Sequence, residues 1–448
     1  MKFILSMTLP ARASLLALSL AAFSPAFAAS HVVDSLASLQ TRIQSAAPGD
    51  TITLKNGTYT TTAPIAVNVA GAAGRPITLA AETTGGVEID GTHGFQIAAP
   101  AAHVVIDGFT FTHQSGRIRI GAGTSHVRFT RNTFRCRGAG PYLSITGDHA
   151  QIDYNEFRDK ATLGNMIDVN GTAPQVARGL WIHHNYFHDF TNARGNGAET
   201  IRFGLSGLSM SMGGGIVEHN LFVRCNGENE LISNKSGGNT YRYNTLIDSP
   251  GAQLTLRHGN ACVVYGNYFK HTDGLRIFGD RHQVFGNYFE GNTQGINLGN
   301  GGAEVADGAP LTSHDRPDGC VIHFNTLVDN RVHYAMNRRT PTALGATNTT
   351  FAHNILQGGG AAAKIDGPYV GAQWSGNVLW KTGGSGDLPA AGFSENDPSL
   401  VRGADGVLRP TRSDAESRPV AKGLPSPREV SGNIRILTEK DVGPKARP

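Results

Sequence analysis

The sequence has few cysteines and little charge of either sign. Its four cysteines, Cys136, Cys225, Cys262 and Cys320, do not form the closely spaced pairs typical of metal sites. The charged fraction is 17% and the formal net charge is +4, too mild a balance for a protein that binds nucleic acid. No apolar run beyond the first 28 residues reaches the roughly 18 residues of a membrane span. We therefore expect neither a nucleic-acid nor a membrane partner.

The cysteines are wide apart, and we interpret them mainly as small buried apolar side chains. A Cys225–Cys262 disulfide stays open as an alternative, since an exported chain permits disulfides. Glycine, by contrast, is abundant, with 57 residues in 448. That composition disfavours a helical bundle or a coiled coil.

The first 28 residues have the pattern of a secretory signal peptide. Lys2 and Arg12 supply positive charge, an apolar stretch covers residues 13–23, and Ala26-Phe27-Ala28 is a small-x-small cleavage signal. We therefore expect residues 1–28 to be removed and residues 29–448 to act as an exported protein, periplasmic or secreted.

A recurring asparagine organises most of the chain. The pattern Asn-x-Phe or Asn-x-Leu occurs ten times, at spacings of 20 to 38 residues. Its positions are Asn132, Asn155, Asn185, Asn220, Asn244, Asn267, Asn287, Asn325, Asn354 and Asn377. A base period near 20–24 residues with longer insertions is typical of the coils of a parallel β-helix. We expect the ten side chains to stack inside the coils and to hydrogen-bond the turns.

Short segments of alternating apolar and polar residues, such as LSITG and TIRFG, precede many of these asparagines and predict strands. We predict an all-β, right-handed parallel β-helix that forms one domain over residues 29–448. An amphipathic helix over residues 35–47 should cap its open end. From about residue 395 the repeat fades, and an irregular tail should lie against the outside.

Three cations fall at similar distances before a repeat asparagine. Lys235 is nine residues before Asn244, Arg257 ten before Asn267, and Arg276 eleven before Asn287. We therefore expect them at nearly the same place on three successive coils. Stacked like charges are costly unless something anionic binds there. The alternative is a solvated basic stripe.

Acidic residues occur beside these cations. Glu228 and Glu230 flank Asn229, and Asn196 and Glu199 lie one coil earlier. Two carboxylates and an amide oxygen are ligands suited to Ca²⁺. The alternative is that the acids only balance the cations.

These same segments resemble polysaccharide lyase family 6, which contains alginate lyases and chondroitin B (dermatan sulfate) lyases. The resemblance rests on NGAETIRFG from Asn196, ENELISNKSGGNTYRYNT from Glu228, LTLRHG from Leu254 and LRIFGDRH from Leu275. The resemblance covers most of residues 30–400, and the chain is similar to the shorter members of the family, which have a single β-helix.

The resemblance implies β-elimination at a uronic acid. It makes Lys235 the base that removes the C5 proton and Arg257 the group that protonates or stabilises the leaving 4-oxygen. It makes Asn196, Glu228 and Glu230 the ligands of a calcium ion that neutralises the substrate carboxylate. Further substrate contacts are predicted from neighbouring residues of the same sheet: Glu199, Arg202, His258, Arg276, Arg281 and His282.

The predicted function is therefore an exported, calcium-assisted alginate lyase that acts on mannuronate-containing chains. A dermatan or chondroitin sulfate lyase is the first alternative, for which only Arg338 and Arg339 offer additional basic residues. A pectate lyase is weaker, because it uses a different arrangement of calcium-binding aspartates. A non-catalytic β-helix that only binds polysaccharide is the remaining alternative. Glu199 and Arg202 could also pair with each other and orient Asn196.

Overall fold

The computed structural model describes residues 28–446, except 116, 192–194, 308, 312, 340–343 and 411–417. The predicted signal peptide therefore lies almost entirely outside the described residues. Three long parallel sheets run along the molecule, and each turn of chain contributes strands to sheet 1, sheet 2 and sheet 3 in that order. The predicted all-β parallel β-helix is confirmed.

The three sheets contain 14, 14 and 12 strands respectively. Sheet 1 consists of Ser30–Val33, Thr51–Leu54, Ile77–Ala81, Ala102–Asp107, Ser125–Thr130, Gln151–Asp153, Trp181–His183, Ile216–Glu218, Thr240–Arg242, Val263–Tyr265, Gln283–Phe285, Val321–His323, Thr350–Ala352 and Gln373–Ser375. Sheet 2 consists of Gly57–Thr61, Val87–Gly91, Phe109–Phe111, Thr133–Phe134, Glu156–Lys160, Tyr186–Phe190, Leu221–Cys225, Thr245–Ile247, Tyr268–Lys270, Tyr288–Glu290, Thr326–Val328, Ile355–Gln357, Asn377–Trp380 and Phe393–Glu395. Sheet 3 consists of Ile65–Val67, Phe95–Ile97, Ile118–Ile120, Leu143–Ile145, Ile167–Val169, Ile201–Phe203, Glu230–Lys235, Gln253–His258, Leu275–Ile277, Ile296–Leu298, Val332–Met336 and Ala361–Ile365.

The ten repeat asparagines form one continuous ladder in the turn between sheets 1 and 2. All ten are buried, and in each step the side-chain oxygen of one accepts from the backbone and amide nitrogens of the asparagine before it. At Asn244, for example, Oδ1 accepts from Asn220 N at 3.1 Å and Nδ2 at 3.0 Å. Its Nδ2 donates to Asn267 Oδ1 at 3.0 Å and Val217 O at 2.9 Å. The predicted ladder is confirmed, since these bonds satisfy backbone groups that the turns would otherwise leave buried and unpaired.

Aromatic side chains follow the same register inside the coils. Phe134, Phe157, Phe187 and Phe222 stack with ring centroids 4.4 to 4.8 Å apart. This spacing matches the roughly 4.8 Å between neighbouring strands. Parallel coils therefore place identical side chains in contact, and the interior is one continuous apolar core.

A helix over Leu36–Gln44 covers the N-terminal opening, with Leu39 and Ile43 buried against the first coils. Ser35 begins it as N-cap, since its hydroxyl accepts from Ser38 N at 3.2 Å. The helix is shorter than the predicted 35–47 because Ser45 already leaves helical geometry ahead of Pro48-Gly49. Two single 3₁₀ turns lie at Ser206–Leu208 and Ala390–Gly392.

The chain after the last coil runs back along the outside. It contains an antiparallel pair, Val401–Arg402 with Leu408–Arg409, and a helix over Pro427–Asn433. Val407 and Ile434 pack on Tyr268 and Tyr288 of sheet 2. This segment therefore covers part of the outer face of sheet 2.

The cysteines are all buried and free. The open alternative of a Cys225–Cys262 disulfide is therefore wrong: Cys225 Sγ contacts Phe187 O, whereas Cys262 Sγ contacts Ser236 O. Within the described residues, no helix is long and apolar enough to cross a membrane.

Candidate active site

The outer face of sheet 3 presents one side chain per coil in register. Arg202 pairs with Ser233, Ser233 with Thr255, and Thr255 with Arg276. The ladder between Glu230–Lys235 and Gln253–His258 is irregular, with register shifts after Glu230 and after Asn234. Lys235 consequently lies opposite His258.

The predicted alignment of the three cations is therefore wrong. Arg276 is level with Thr255, two residues before Arg257, and Arg257 falls at the second register shift. Counting back from the ladder asparagines misses this because an irregular strand contains residues that have no partner opposite.

Three carboxylates converge at the start of strand Glu230–Lys235. Glu199, Glu228 and Glu230 each place one oxygen within 4.8 Å of the others. Glu199 and Glu230 are only 1% exposed. The prediction that Glu228 and Glu230 lie together is confirmed, whereas Glu199, predicted to contact substrate, joins the same group. Three negative charges this close repel one another strongly unless cations compensate them.

The three predicted cations supply part of that compensation. Lys235 Nζ lies 3.3 Å from Glu199 Oε1, and Arg257 Nη1 lies 3.1 Å from Glu230 Oε2. Arg276 Nη2 binds the other oxygen of Glu230. The two guanidinium groups outweigh burial and hold the pKa of Glu230 below its ordinary value. Lys235 and both arginines therefore surround the acids without being in register.

Glu228 is different, since no cation lies within ion-pair distance of it among the described residues. Its Oε2 accepts from Gly197 N at 2.7 Å and weakly from Ala198 N at 3.4 Å. Burial, and next the charge of Glu199, raise its pKa above the ordinary value. Asn196, the residue before Gly197, is exposed. One carboxylate of the group thus lacks a counter-charge.

Glu199 and Arg202 do not pair with each other, as one alternative held. Glu199 Oε2 accepts from Asn165 Nδ2 at 2.7 Å, and Arg202 Nη2 binds Asp168 Oδ2 at 3.1 Å. Arg202 also donates to Asn170 Oδ1 at 3.1 Å. Successive side chains on a strand point to opposite faces, but this segment enters sheet 3 only at Ile201, so Glu199 is turned toward Lys235.

Several buried polar atoms at the site have no hydrogen-bond partner within the described structure. They belong to residues of three neighbouring strands of sheet 3 and are Thr255 Oγ1, Arg257 Nε, His258 Nδ1, Arg276 Nε and Asn297 Oδ1. Buried polar groups are normally satisfied, so a cluster of exceptions beside a charged group is typical of a site that binds a polar ligand.

A long excursion of the chain between strands Ile296–Leu298 and Val321–His323 borders the site. Its Asp307 accepts from Asn260 Nδ2 at 2.6 Å, and its His314 ring lies 5.1 Å from the His258 ring. Burial, then His314 and Arg257, lower the pKa of His258 to about 3. His258 is therefore a neutral imidazole at any ordinary working pH.

One of the predicted substrate contacts lies elsewhere. His282 is fully buried inside the coil, where its Nδ1 accepts from Cys262 N at 3.0 Å and its Nε2 donates to Phe278 O at 2.8 Å. This prediction is corrected, because the strand ends at Ile277 and the chain has left the outer face before it reaches His282. Arg281 binds Asp307 of the excursion at 2.6 Å, and its contact with substrate stays a prediction.

Sequence reasoning missed Asn165, Asp168 and His314. The first two lie on or next to strand Ile167–Val169, and only the register shows that this strand lies beside Glu199 and Arg202 of the next coil. The signal for His314 was the spacing of 38 residues between Asn287 and Asn325, the longest in the repeat. Arg339 also reaches the site, since its guanidinium lies 5.3 Å from the ring of Phe278.

The donor set fits a calcium ion. Ca²⁺ takes carboxylate, amide and water oxygens in flexible geometry. Glu199, Glu228 and Glu230 offer clustered carboxylates, and the missing counter-charge at Glu228 is what a cation would supply. Asn196 is exposed and precedes Gly197, whose backbone nitrogen donates to Glu228.

The chain is similar to known proteins in sequence and in fold. The chondroitinase B family model matches residues 33–344. The PL6 family alginate lyase AlyGC is 26% identical to this chain, with a TM-score of 0.79; the match covers 94% of this chain and 60% of AlyGC. A mannuronic acid specific polysaccharide family 6 lyase from the human gut microbiota is 25% identical, with a TM-score of 0.70 and coverage of 82% and 91%.

A PL6 alginate lyase in complex with a trisaccharide, at 20% identity and a TM-score of 0.72, has the same fold. The chain spans about 60% of the length of AlyGC. No curated protein sequence matches it.

Proposed function

Since the chain belongs to the chondroitinase B family, within polysaccharide lyase family 6, we propose that it cleaves an acidic polysaccharide by β-elimination. The substrate we propose is alginate that contains mannuronate. The observation that carries the proposal is the cluster on sheet 3, where Lys235, Arg257 and Arg276 surround an acidic group and several buried donors and acceptors lack partners. A structural relative is named as mannuronic acid specific, which supports that choice of sugar.

In this reaction the bond between C5 and its hydrogen breaks first. Lys235, in its neutral amine form, takes the C5 proton, and the electron pair of that bond is first delocalised into the adjacent carboxylate. The pair then forms the C4–C5 double bond as the C4–O4 bond breaks, and the leaving oxygen takes a proton to become the new hydroxyl of the departing chain. The products are a 4,5-unsaturated uronate end and a shortened chain, with no water consumed.

The ion pair of Lys235 Nζ with Glu199, at 3.3 Å, holds the amine at the edge of the acidic group and supports this role. The neighbouring residues stabilise the negative charge that develops on the uronate as the proton leaves. Arg257 and Arg276 each have a buried Nε with no hydrogen-bond partner among the described residues, and Arg257 is our choice for the group beside the leaving oxygen. A guanidinium stays protonated, so Arg257 acts mainly by stabilising charge while solvent completes the proton delivery.

Asn196, Glu228 and Glu230 are the residues proposed to hold Ca²⁺, with Glu199 added by the geometry of the group. When bound, a calcium ion neutralises a substrate carboxylate and so makes the adjacent C5 proton more acidic. We also propose that residues 1–28 direct export, which would bring the enzyme to polymers outside the cytoplasm.

The direct test is the formation of unsaturated uronate, followed by its ultraviolet absorbance. Purified protein is incubated separately with polymannuronate, polyguluronate and dermatan sulfate, with calcium present. Absorbance that grows with polymannuronate supports the proposal. Absorbance only with dermatan sulfate would show that the alternative substrate is the correct one. Binding to polymannuronate without product would show that the protein is a non-catalytic β-helix.

A further inference from the structure

The outer face of sheet 3 extends well beyond the acidic group toward the N-terminus. In register, Arg202 pairs with Asp168, Asp168 with Ser144, and Ser144 with Arg119. Arg119 thus lies four coils from Ser233, a distance of about 19 Å at the usual spacing of neighbouring strands. The two regions belong to one uninterrupted surface.

A cationic hollow lies toward the N-terminal end of this face. It encloses about 420 Å³ and is lined by Arg117 and Arg119 together with His93, Gln96 and Ser115. Both arginines are exposed, and no carboxylate lines the hollow. Every charged or polar side chain there is able to donate a hydrogen bond to an anion.

These arginines differ from others in the same half of the molecule. Arg128, Arg131 and Arg178 form ion pairs with Asp153, Asp107 and Asp148 at 2.6 to 2.7 Å. Within the described residues, Arg117 and Arg119 have no carboxylate at ion-pair distance. Two neighbouring unpaired guanidinium groups repel each other, and an anion bound between or beside them relieves that repulsion.

The described side chains of the register row between the two regions carry no net charge. Ser144 is neutral, and Asp168 and Arg202 neutralise each other through their ion pair at 3.1 Å. An anionic chain that lies along sheet 3 is therefore attracted strongly at two separate places. A sugar residue in an extended chain advances by about as much as one coil, so the hollow lies about four residues from the reacting uronate.

We propose that Arg117 and Arg119 form a distal subsite that binds a carboxylate of the same polyuronate chain, about four sugars from the cleaved bond. Planar guanidinium groups suit this role because they bind carboxylates in a bidentate manner. The inference rests on the proposed function, since it takes the ligand to be the polymer that reacts at Lys235. It makes the enzyme prefer long chains over short oligosaccharides.

The experiment measures how substrate preference depends on chain length. Values of kcat/KM are determined for a trimer and an octamer of mannuronate with the wild type, the Arg117→Ala/Arg119→Ala double variant and a control, Arg178→Ala. Arg178 is also an exposed arginine, but it lies in a turn that leads to sheet 1. The octamer-to-trimer ratio should fall about five- to tenfold in the double variant and stay at the wild-type value in the control.

Binding is measured in parallel in a Lys235→Ala background, so that no cleavage occurs during the titration. Affinity for the octamer should fall about five- to tenfold when the two arginines are removed, and the Arg117→Lys/Arg119→Lys variant should recover part of it. Equal losses for octamer and trimer, or no loss for either, would overturn the distal subsite. The proposed function fails separately, if the wild type gives no unsaturated product from any polyuronate.

Discussion

The asparagine turn and the outer face of sheet 3 use the same repeat in opposite ways. In the turn, one residue type recurs ten times, and every amide is paired with the next coil. On sheet 3, the side chain changes with each coil, through Arg202, Ser233, Thr255 and Arg276. Several buried atoms there have no partner. A solenoid therefore keeps its scaffold and its chemistry on separate faces of one coil.

The difference has an energetic basis. A ladder amide that loses its partner leaves a buried polar group unsatisfied, which lowers the stability of the fold. No function of the turn compensates for this loss. Unpaired groups beside Glu228 and Arg276 carry the same kind of cost, which a bound ligand can offset. Substitutions in the two regions should therefore have different signatures: loss of turnover on sheet 3 and loss of stability in the turn.

The largest effect is expected for Lys235→Ala. Removal of a general base typically lowers kcat by about 10²- to 10⁴-fold, because the loss falls on the transition state. Lys235→Arg should not restore activity, since a guanidinium stays protonated at working pH. Unsaturated product is measured against Lys381→Ala, which removes an exposed lysine next to Trp380 and should match the wild type. Near-normal turnover by Lys235→Ala would show that the proton goes elsewhere.

Glu228→Gln tests the proposed role of Ca²⁺ and should lower activity more than stability. The variant keeps the size of the side chain but removes the charge that lacks a counter-ion. In the wild type, added Ca²⁺ should raise the melting temperature, because a ligand that binds only the folded state stabilises it. This rise should shrink strongly in Glu228→Gln, and activity should fall about tenfold or more. The metal role is wrong if the exhaustively chelated wild type keeps full activity and Ca²⁺ leaves its melting temperature unchanged.

The two regions also differ in what the sequence could predict. The ladder was predicted residue by residue, since its asparagines recur in phase and their role depends only on the coil. On sheet 3, the sequence correctly indicated that Lys235 and Arg257 lie near Glu230, but it misaligned Arg276. Register shifts after Glu230 and Asn234 change which residues face each other, and no composition signal marks them.

The contacts of Glu199 could not be predicted for a related reason. Its partners Asn165 and Lys235 are 34 and 36 residues away, and only the packing of successive coils brings them together. His282 was misplaced because the strand before it ends at Ile277, and a sheet pattern alone does not show where a short strand stops.

Asn244→Ala tests the asparagine turn, where the expected effect is on stability. The substitution removes two hydrogen bonds that its amide donates and two that its oxygen accepts. We expect a loss of about 1–3 kcal/mol in the free energy of unfolding, measured by denaturant titration. Asn396→Ala, at an exposed position after the last sheet 2 strand, is the control and should change stability little. A ladder variant as stable as this control would contradict the account of the turn.

A smaller, pH-dependent effect is expected at Asp280, beside the excursion that borders the site. Burial, and next the charge of Asp315, raise the pKa of Asp280 from 3.8 to about 7. The folded protein therefore holds a proton that the unfolded chain releases above about pH 4. The contribution of Asp280 to the free energy of unfolding therefore declines as the pH rises from about 4 to about 7. It is smallest above pH 7.

Asp280→Asn keeps the side chain neutral and removes that decline. Melting temperatures of the variant and wild type should diverge by about 2 °C or more between pH 5 and pH 8, with the variant gaining. Asp397→Asn, at an exposed position, should show no such divergence. Parallel curves for Asp280→Asn and the wild type would mean that Asp280 does not retain a proton in the folded state.

The central claim is that sheet 3 carries out an elimination, and the mass of the new chain ends tests it most directly. Polymannuronate is digested in water enriched in heavy oxygen, and the oligosaccharides are analysed by mass spectrometry. The account predicts ends lighter than hydrolysis products by one water, with no heavy oxygen incorporated, and no such ends from Lys235→Ala. New non-reducing ends that are all saturated would show hydrolysis and contradict it.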